Sequence, residues 1–337
     1  MKYIVCEKPG RFLMKEKNKP ERNPGEALLR IKKVGVCGTD LHAYSGNQAF
    51  FTYPRILGHE LAAEVVAIDE NQQGIQVGNK VAIMPYVSCG VCVACRQGKT
   101  NCCVNMQVLG VHTDGGMQEQ ISVPIDLLLP AQHLRLEEIA LVEPLAIAAH
   151  ALARAQLKAG ETIAVIGCGP IGIGIIKLAQ IAGAHVIVVD VNKQRLQYVQ
   201  DYFDAAHCIV ADEKTKVTIS DITKGNLCNV VFDATGHKGA LEAGINYMAH
   251  GGRYVLVGLS KGELTFLHPA IHAKETTLLC SRNATITDFK YVMEILEKGL
   301  FPTSSFITHT VDAAQMISHF DGWLDPSNGV IKAMVNF

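Results

Sequence analysis

The chain has 337 residues, 48% hydrophobic and 19% charged, and its 31 basic and 32 acidic side chains leave a formal charge of -1. That length exceeds one ordinary core and suits two domains, the composition is globular and not disordered, and the charge balance offers no footprint for nucleic acid or acidic lipid. No apolar run approaches the about 18 residues of a membrane span, and residues 1–10 lack the apolar stretch of a secretory signal, so no membrane partner and a cytoplasmic location are expected.

Residues 1–145 are rich in glycine, proline and short β-branched runs, such as 27–31 and 61–68, punctuated by turn signals at Asn23-Pro24-Gly25 and Val77-Gly78-Asn79. This pattern predicts a mainly β domain with functional loops. From residue 146 the character changes. A fully apolar strand is expected at 163–166, then a glycine-rich turn and a helix through 182. A strand at 186–190, a helix near 193–202, a strand at 230–233, a helix near 241–249 and a strand at 253–258 follow. Strands alternating with helices predict a doubly wound parallel sheet over 146–276. From 277 the chain shows one clear helix (288–298) and a last strand near 330–335. No internal repeat or low-complexity tract interrupts it.

Three constellations carry chemistry. The first combines Val36-Cys37-Gly38-Thr39-Asp40-Leu41-His42 with Gly58-His59-Glu60 and Val142-Glu143-Pro144-Leu145. Cys37, His59 and a carboxylate would form a mixed sulfur, nitrogen and oxygen zinc site with one open position, the mark of a catalytic zinc. Taken singly, Cys37 also reads as a small core residue, His59 as a hydrogen-bonded histidine and Glu60 as a surface acid.

The second constellation is the eleven-cysteine inventory's dense stretch, Cys89-Gly90-Val91-Cys92-Val93-Ala94-Cys95 continuing to Cys102-Cys103. In a reducing compartment such crowding reads as metal ligation before disulfides. Four thiolates suit a tetrahedral, closed and therefore structural zinc. An iron–sulfur cluster also uses Cys at three-residue spacing, but that pattern closes after three residues with Cys-Pro; here the fourth cysteine comes later, with no proline after it.

The third is Gly167-Cys168-Gly169-Pro170-Ile171-Gly172, directly after an apolar strand and opening a helix. Gly167 permits the tight turn, Gly169 lets backbone approach a pyrophosphate, and Gly172 lets helix pack on strand. The helix N-terminus then faces the phosphates. Asp190 ends the second strand about 20 residues on, where an acid binds the ribose hydroxyls and repels a 2′-phosphate. This favours NAD over NADP, with Lys193 and Arg195 the cations that weigh the other way.

These motifs occur together in the order found in the medium-chain zinc-dependent dehydrogenases, which the chain resembles over essentially its whole length. It is most similar to the branch holding sorbitol, threonine and sugar-acid 5-dehydrogenases. Within that branch, residues 109–116 and Ser281-Arg282-Asn283-Ala284 resemble L-galactonate and L-gulonate 5-dehydrogenases. The resemblance implies a GroES-like β catalytic domain (1–145 and 277–337) with a Rossmann NAD domain (146–276) inserted. It implies two zinc ions per chain. Cys37 and His59 would ligate the catalytic zinc, with Glu60 and Glu143 supplying carboxylates directly or through water. Thr39 would pass on the alcohol proton, His42 would relay it to solvent, and Asp40 would orient a ligand histidine. The structural zinc would take Cys89, Cys92, Cys95 and Cys103, with Cys102 an extra thiol. A homodimer or homotetramer formed through the NAD domain is expected.

The expected reaction is hydride transfer from a secondary alcohol of a sugar acid or polyol to NAD. Neutral polyol or threonine oxidation is the alternative within the class, and a non-catalytic NAD-binding sensor the alternative outside it. Arg282 is the candidate cation for a substrate carboxylate, or else a surface salt-bridge partner. His112 and Asp114 either line the substrate pocket or shape a turn.

Overall fold

The computed structural model describes residues 1–48 and 51–337, and the chain divides into two units. One comprises Met1–Pro144, Thr285–Gly299 and Thr303–Phe337; the other comprises Leu145–Ala284 and Leu300–Pro302.

The first unit opens with the antiparallel pair β1 (Lys2–Lys8) and β2 (Arg11–Glu16). There follow β3 (Glu26–Val36), α1 (Gly38–Tyr44), β4 (Glu60–Ala67), β5 (Lys80–Ile83), β6 (Tyr86–Val87), α2 (Val93–Arg96), β7 (Gln107–Val108), β8 (Gln120–Pro124) and β9 (Leu128–Pro130), and then α3 (Leu136–Ala155), whose first nine residues belong to this unit and the rest to the second. Burial largely alternates along the first half of β3, with Ala27, Leu29 and Ile31 fully buried, as expected of a strand with one face on a core.

The second unit is a run of strand and helix: β10 (Thr162–Ile166), α4 (Pro170–Ile181), β11 (His185–Asp190), α5 (Lys193–Phe203), β12 (His207–Val210), α6 (Thr215–Ile222), β13 (Cys228–Asp233), α7 (Lys238–Gly244), β14 (Met248–Leu256), α8 (His268–Ala273) and β15 (Thr277–Cys280). Its six strands are all parallel, in the order β12-β11-β10-β13-β14-β15. This is the doubly wound order 3-2-1-4-5-6, whose ligand crevice lies beyond the carboxyl ends of the strands where the order reverses. The central strand β10 is buried from Ile163 to Ile166, which is why it reads as a continuous apolar run.

The chain then returns to the first unit through α9 (Ile286–Glu297), α10 (Thr303–Phe306), β16 (Ile307–Asp312), α11 (Ala313–Leu324) and β17 (Lys332–Asn336). The last two strands extend the first sheet to β16-β17-β3-β4-β5-β9, with β8 also paired to β3. An aromatic cluster ties the return to the start. Phe320 of α11 lies 4.7 Å from Phe12 of β2 and 4.9 Å from Tyr44 of α1 between ring centroids, and Phe12 stacks on Tyr44 at 4.9 Å. Among the described residues no helix is long and apolar enough to cross a membrane.

Several elements differ from the sequence expectation. The helix expected through 249 ends at Gly244, and the strand expected at 253–258 starts at Met248 and ends at Leu256. Gly251 and Gly252 lie inside that strand, where glycine reads as a break. The sequence boundary at 277 falls at the head of β15, which pairs with β14; the return begins at Thr285 instead. Helix α11, the strand β12 and helix α6 carried no signal in the sequence reading.

Candidate active site

The structure builds the first constellation on three elements. Cys37 precedes α1, and its backbone N–H donates to Asp40 Oδ2 at 2.9 Å. Asp40 is 1% exposed. Its other oxygen accepts from Gly58 N at 3.3 Å and lies 4.0 Å from His59 Nδ1. One buried carboxylate therefore ties the cysteine loop to the histidine loop. His59 stands just before β4, where Gly58 takes φ +93° and a Cβ on it would meet Val34 Cγ1 at 2.8 Å. Thr39 Oγ1 lies 3.8 Å from Cys37 Sγ. His42, on the same face of α1 three residues on, is exposed.

Glu143 comes from α3, one residue before Pro144. It is 2% exposed, and its Oε1 accepts from the hydroxyl of buried Tyr86. Its Oε2 is buried without a partner, as is His59 Nδ1. Burial pushes the Glu143 carboxyl up to about 7, against the pull of neighbouring His59. Burial alone would lower the pKa of His59; the charges of Cys37 and Asp40, a hydrogen bond with Cys37 and the charge of Glu143 outweigh it and hold it well above the ordinary histidine value. Cys37, His59 and Glu143 thus share one electronegative neighbourhood, with a buried carboxylate oxygen that has no hydrogen-bond partner among the described residues. An orphaned buried acceptor of this kind costs free energy unless a cation or donor meets it, and thiolate, imidazole and carboxylate are the ligand types zinc takes, although among the described residues only the cysteine loop draws its ligand atoms within 4.8 Å of one another.

Glu60 is arranged differently. It is fully buried, and both its oxygens accept from Lys332 Nζ, at 2.6 and 2.7 Å. Lys332 and Tyr86 are the two residues here that the sequence reading missed. A lone lysine in an otherwise apolar strand was the available signal for Lys332; Tyr86 gave none.

The cysteine loop gathers as expected. The sulfurs of Cys89, Cys92, Cys95 and Cys103 all lie within 4.8 Å of one another, close to the roughly 3.8 Å edge of a tetrahedron with zinc–sulfur bonds of about 2.3 Å. Backbone N–H groups of Cys89 and Asn105 donate to Cys103 Sγ at 3.2 and 3.4 Å. Backbone N–H groups of Cys95 and Val104 lower the Cys92 thiol to about 6. Donors aimed at sulfur favour thiolates, the form a metal binds. Cys102 is exposed and outside the cluster.

In the second unit, β10 ends at the glycine turn. Gly167 takes φ +102°, and a Cβ on Gly172 would lie 1.8 Å from the Gly167 carbonyl oxygen. A Cβ on Gly169 would meet nothing within 4 Å, leaving backbone open beside the N-terminus of α4, where Pro170 occupies the first turn and Ile171 follows. This fits a dinucleotide pyrophosphate. Asp190 ends β11 as expected. Its oxygens also brace the turn, accepting from Cys168 N at 2.6 Å and Asn192 N at 2.8 Å. Lys193, at the head of α5, is exposed.

The remaining candidates are placed as follows. Arg282 is exposed and belongs to the second unit. His112 Nδ1 accepts from Val108 N at 3.0 Å and so braces its own turn, while Asp114 accepts from Ile56 N at 3.1 Å and pairs with Arg55, tying its turn to the segment before Gly58.

Residues 23–133 match the alcohol dehydrogenase GroES-like domain and residues 170–298 the zinc-binding dehydrogenase domain. The chain is 40% identical over 337 residues to L-galactonate-5-dehydrogenase of Escherichia coli K12, covering 100% of this chain and 99% of that one. It is 32% identical to sorbitol dehydrogenase of Bacillus subtilis, over 94% of this chain and 91% of that one. Among solved structures it matches an alcohol dehydrogenase of Escherichia coli CFT073 complexed with NADH. That match has a TM-score of 0.91 and 32% identity, and covers 100% of this chain and 99% of the other.

Proposed function

The chain belongs to the zinc-dependent medium-chain alcohol dehydrogenases, an NAD-linked enzyme of polyol and sugar-acid type, and from that premise we propose that it oxidises a secondary alcohol of an aldonate, with L-galactonate the leading substrate. The observation that carries the substrate is the 40% identity to L-galactonate-5-dehydrogenase along the full length of both chains. The observation that supports the chemistry is the orphaned Glu143 Oε2 beside His59 and Cys37.

Cys37, His59 and Glu143 would hold the catalytic zinc, and Cys89, Cys92, Cys95 and Cys103 would hold the structural one. When bound, zinc supplies Lewis acidity that lowers the pKa of a substrate hydroxyl, and NAD accepts the hydride. The chain's own groups do the rest. Asp40, 4.0 Å from His59 Nδ1, would orient that ring, and Tyr86 holds one oxygen of Glu143 and leaves the other free for a cation. Thr39 Oγ1, beside Cys37 Sγ, takes up the alcohol proton, and exposed His42 hands it to solvent. Gly167, Gly169, Pro170, Ile171 and Gly172 cradle the pyrophosphate. Asp190 binds the adenosine ribose and selects NAD over NADP, with Lys193 flanking it. Arg282 is the cation proposed for the substrate carboxylate. The working assembly is a homodimer or homotetramer formed through the second unit, supported by the half-exposed edge strand β15.

The test follows NADH absorbance with L-galactonate, L-gulonate, L-idonate, sorbitol, galactitol and threonine, each with and without chelator. The expected outcome is chelator-sensitive NADH formation on an aldonate, and a larger KM increase on the acid than on a neutral polyol in Arg282→Ala. Turnover confined to neutral polyols would reject the aldonate assignment, and equal KM effects would reject Arg282 as its anchor. Neutral polyol oxidation is the second reading, favoured by the identity to sorbitol dehydrogenase.

A further inference from the structure

A further pair of metal-binding side chains stands on helix α8 of the second unit, in the run His268-Pro269-Ala270-Ile271-His272. Four residues of helix bring two side chains one above the other on the same face, about 6 Å apart along the axis. Both histidines are exposed, and their ring centroids lie 5.6 Å apart with the planes tilted by 53°. Two imidazoles bound to one ion through nitrogen, at about 2.1 Å per bond, place their centroids about 4.5 Å apart for a right-angled pair and about 5.2 Å for a tetrahedral one. The two rings therefore stand within about 1 Å of chelating geometry, a gap that rotation of exposed side chains closes.

The helix beneath them is held in place. Ile271, between the two histidines, packs against the core of the second unit, as does Phe266 just ahead of the helix. Behind it, Lys274 Nζ donates to the carbonyls of Ile245 and Met248, and the Lys274 carbonyl accepts from Gly251 N at 2.7 Å. A helix fixed on its inner face presents both rings without first having to order itself.

We propose that His268 and His272 form a surface site for a divalent transition-metal ion, copper or nickel before cobalt, that does not take magnesium or calcium. Imidazole nitrogen suits the borderline ions, whose affinity for such donors rises from cobalt through nickel to copper, whereas magnesium and calcium demand oxygen. Among the described residues the pair belongs to no larger cluster of metal-ligating groups. Two protein ligands leave the other positions to water, so the ion exchanges freely, unlike one enclosed by four thiolates.

The experiment titrates nickel into the zinc-loaded full chain by calorimetry, measures zinc content before and after, and records the electron paramagnetic resonance of the copper-loaded form. The expected result is uptake of about one nickel ion per chain with no zinc released, no heat from magnesium, and copper hyperfine structure from two nitrogens. His268→Ala and His272→Ala should each weaken nickel binding by roughly tenfold or more. Adding Ala273→His to His272→Ala keeps the number of histidines but turns the second imidazole off the face, and should not restore affinity. Wild-type chain that takes up nickel only in exchange for zinc, or not at all, overturns the inference. So does wild-type affinity in either single variant or in the displaced pair, which would mean that the ion sits on other histidines.

Discussion

Residue by residue, the legible positions were those whose chemistry demands a given side chain at a fixed spacing. The Cys89 loop and the Gly167 turn are local: their partners lie within a few positions, so sequence order alone brings them together. Lys332 and Tyr86 were not legible because their partners, Glu60 and Glu143, are 272 and 57 positions away and meet only through tertiary packing. Two expectations belong to this scale. Gly172→Ala places a methyl 1.8 Å from the Gly167 carbonyl, and overpacking of that kind costs about 1–3 kcal/mol. NADH affinity, read by fluorescence titration, should fall by roughly tenfold or more; unaltered affinity would mean that the turn does not bind the dinucleotide. Cys103→Ser removes the thiolate that accepts two backbone N–H bonds. It should release one zinc per chain and lower the melting temperature, and full zinc retention would count against the four-thiolate site.

Among the elements, those with an unmixed pattern were legible. Strand β10, buried on both sides, and helix α9, with its apolar stripe, lie within two residues of expectation. Helix α7 and strand β14 were blurred because the apolar spacing after Leu241 continues a helical period into the first residues of a strand. Strand β15 was assigned to the wrong side of a boundary because it is a short edge strand whose apolar residues stay partly exposed, Leu278 at 45%. Exposed edges invite pairing with another chain. Leu278→Lys is therefore expected to shift the assembly toward monomer in light scattering, and an unshifted mass would place the interface elsewhere. Helix α11 owes its place to Phe320, which is fully buried against Phe12 and Tyr44. Phe320→Ala should cost about 3–5 kcal/mol in denaturant unfolding, and a loss under about 1 kcal/mol would show that the cluster does not anchor the return.

At the scale of the molecule, two units with separate cores predict unfolding in more than one transition. Chelator should lower the transition of the first unit, which carries both cysteine constellations. NADH at about 100 times its dissociation constant should raise that of the second by about 2.7 kcal/mol. A single transition moved equally by both ligands would mean that the units unfold as one. The alternation of strand and helix made the second unit legible, and the family resemblance implied its insertion, whereas the strand pairing that closes the first joins the two ends of the chain. That closure has a temporal side. Val36 and Lys332, bonded in the folded protein, are 296 positions apart, so at translation rates of about 5–20 residues per second the early strands wait roughly fifteen seconds to a minute for their partner. The intervening unit has all six of its strands by then and needs nothing later than Pro302. Ribosome-bound chains halted before β17 should therefore resist protease over residues 145–284 and be cut within 1–144, making catalytic metal loading one of the last events in the birth of the enzyme.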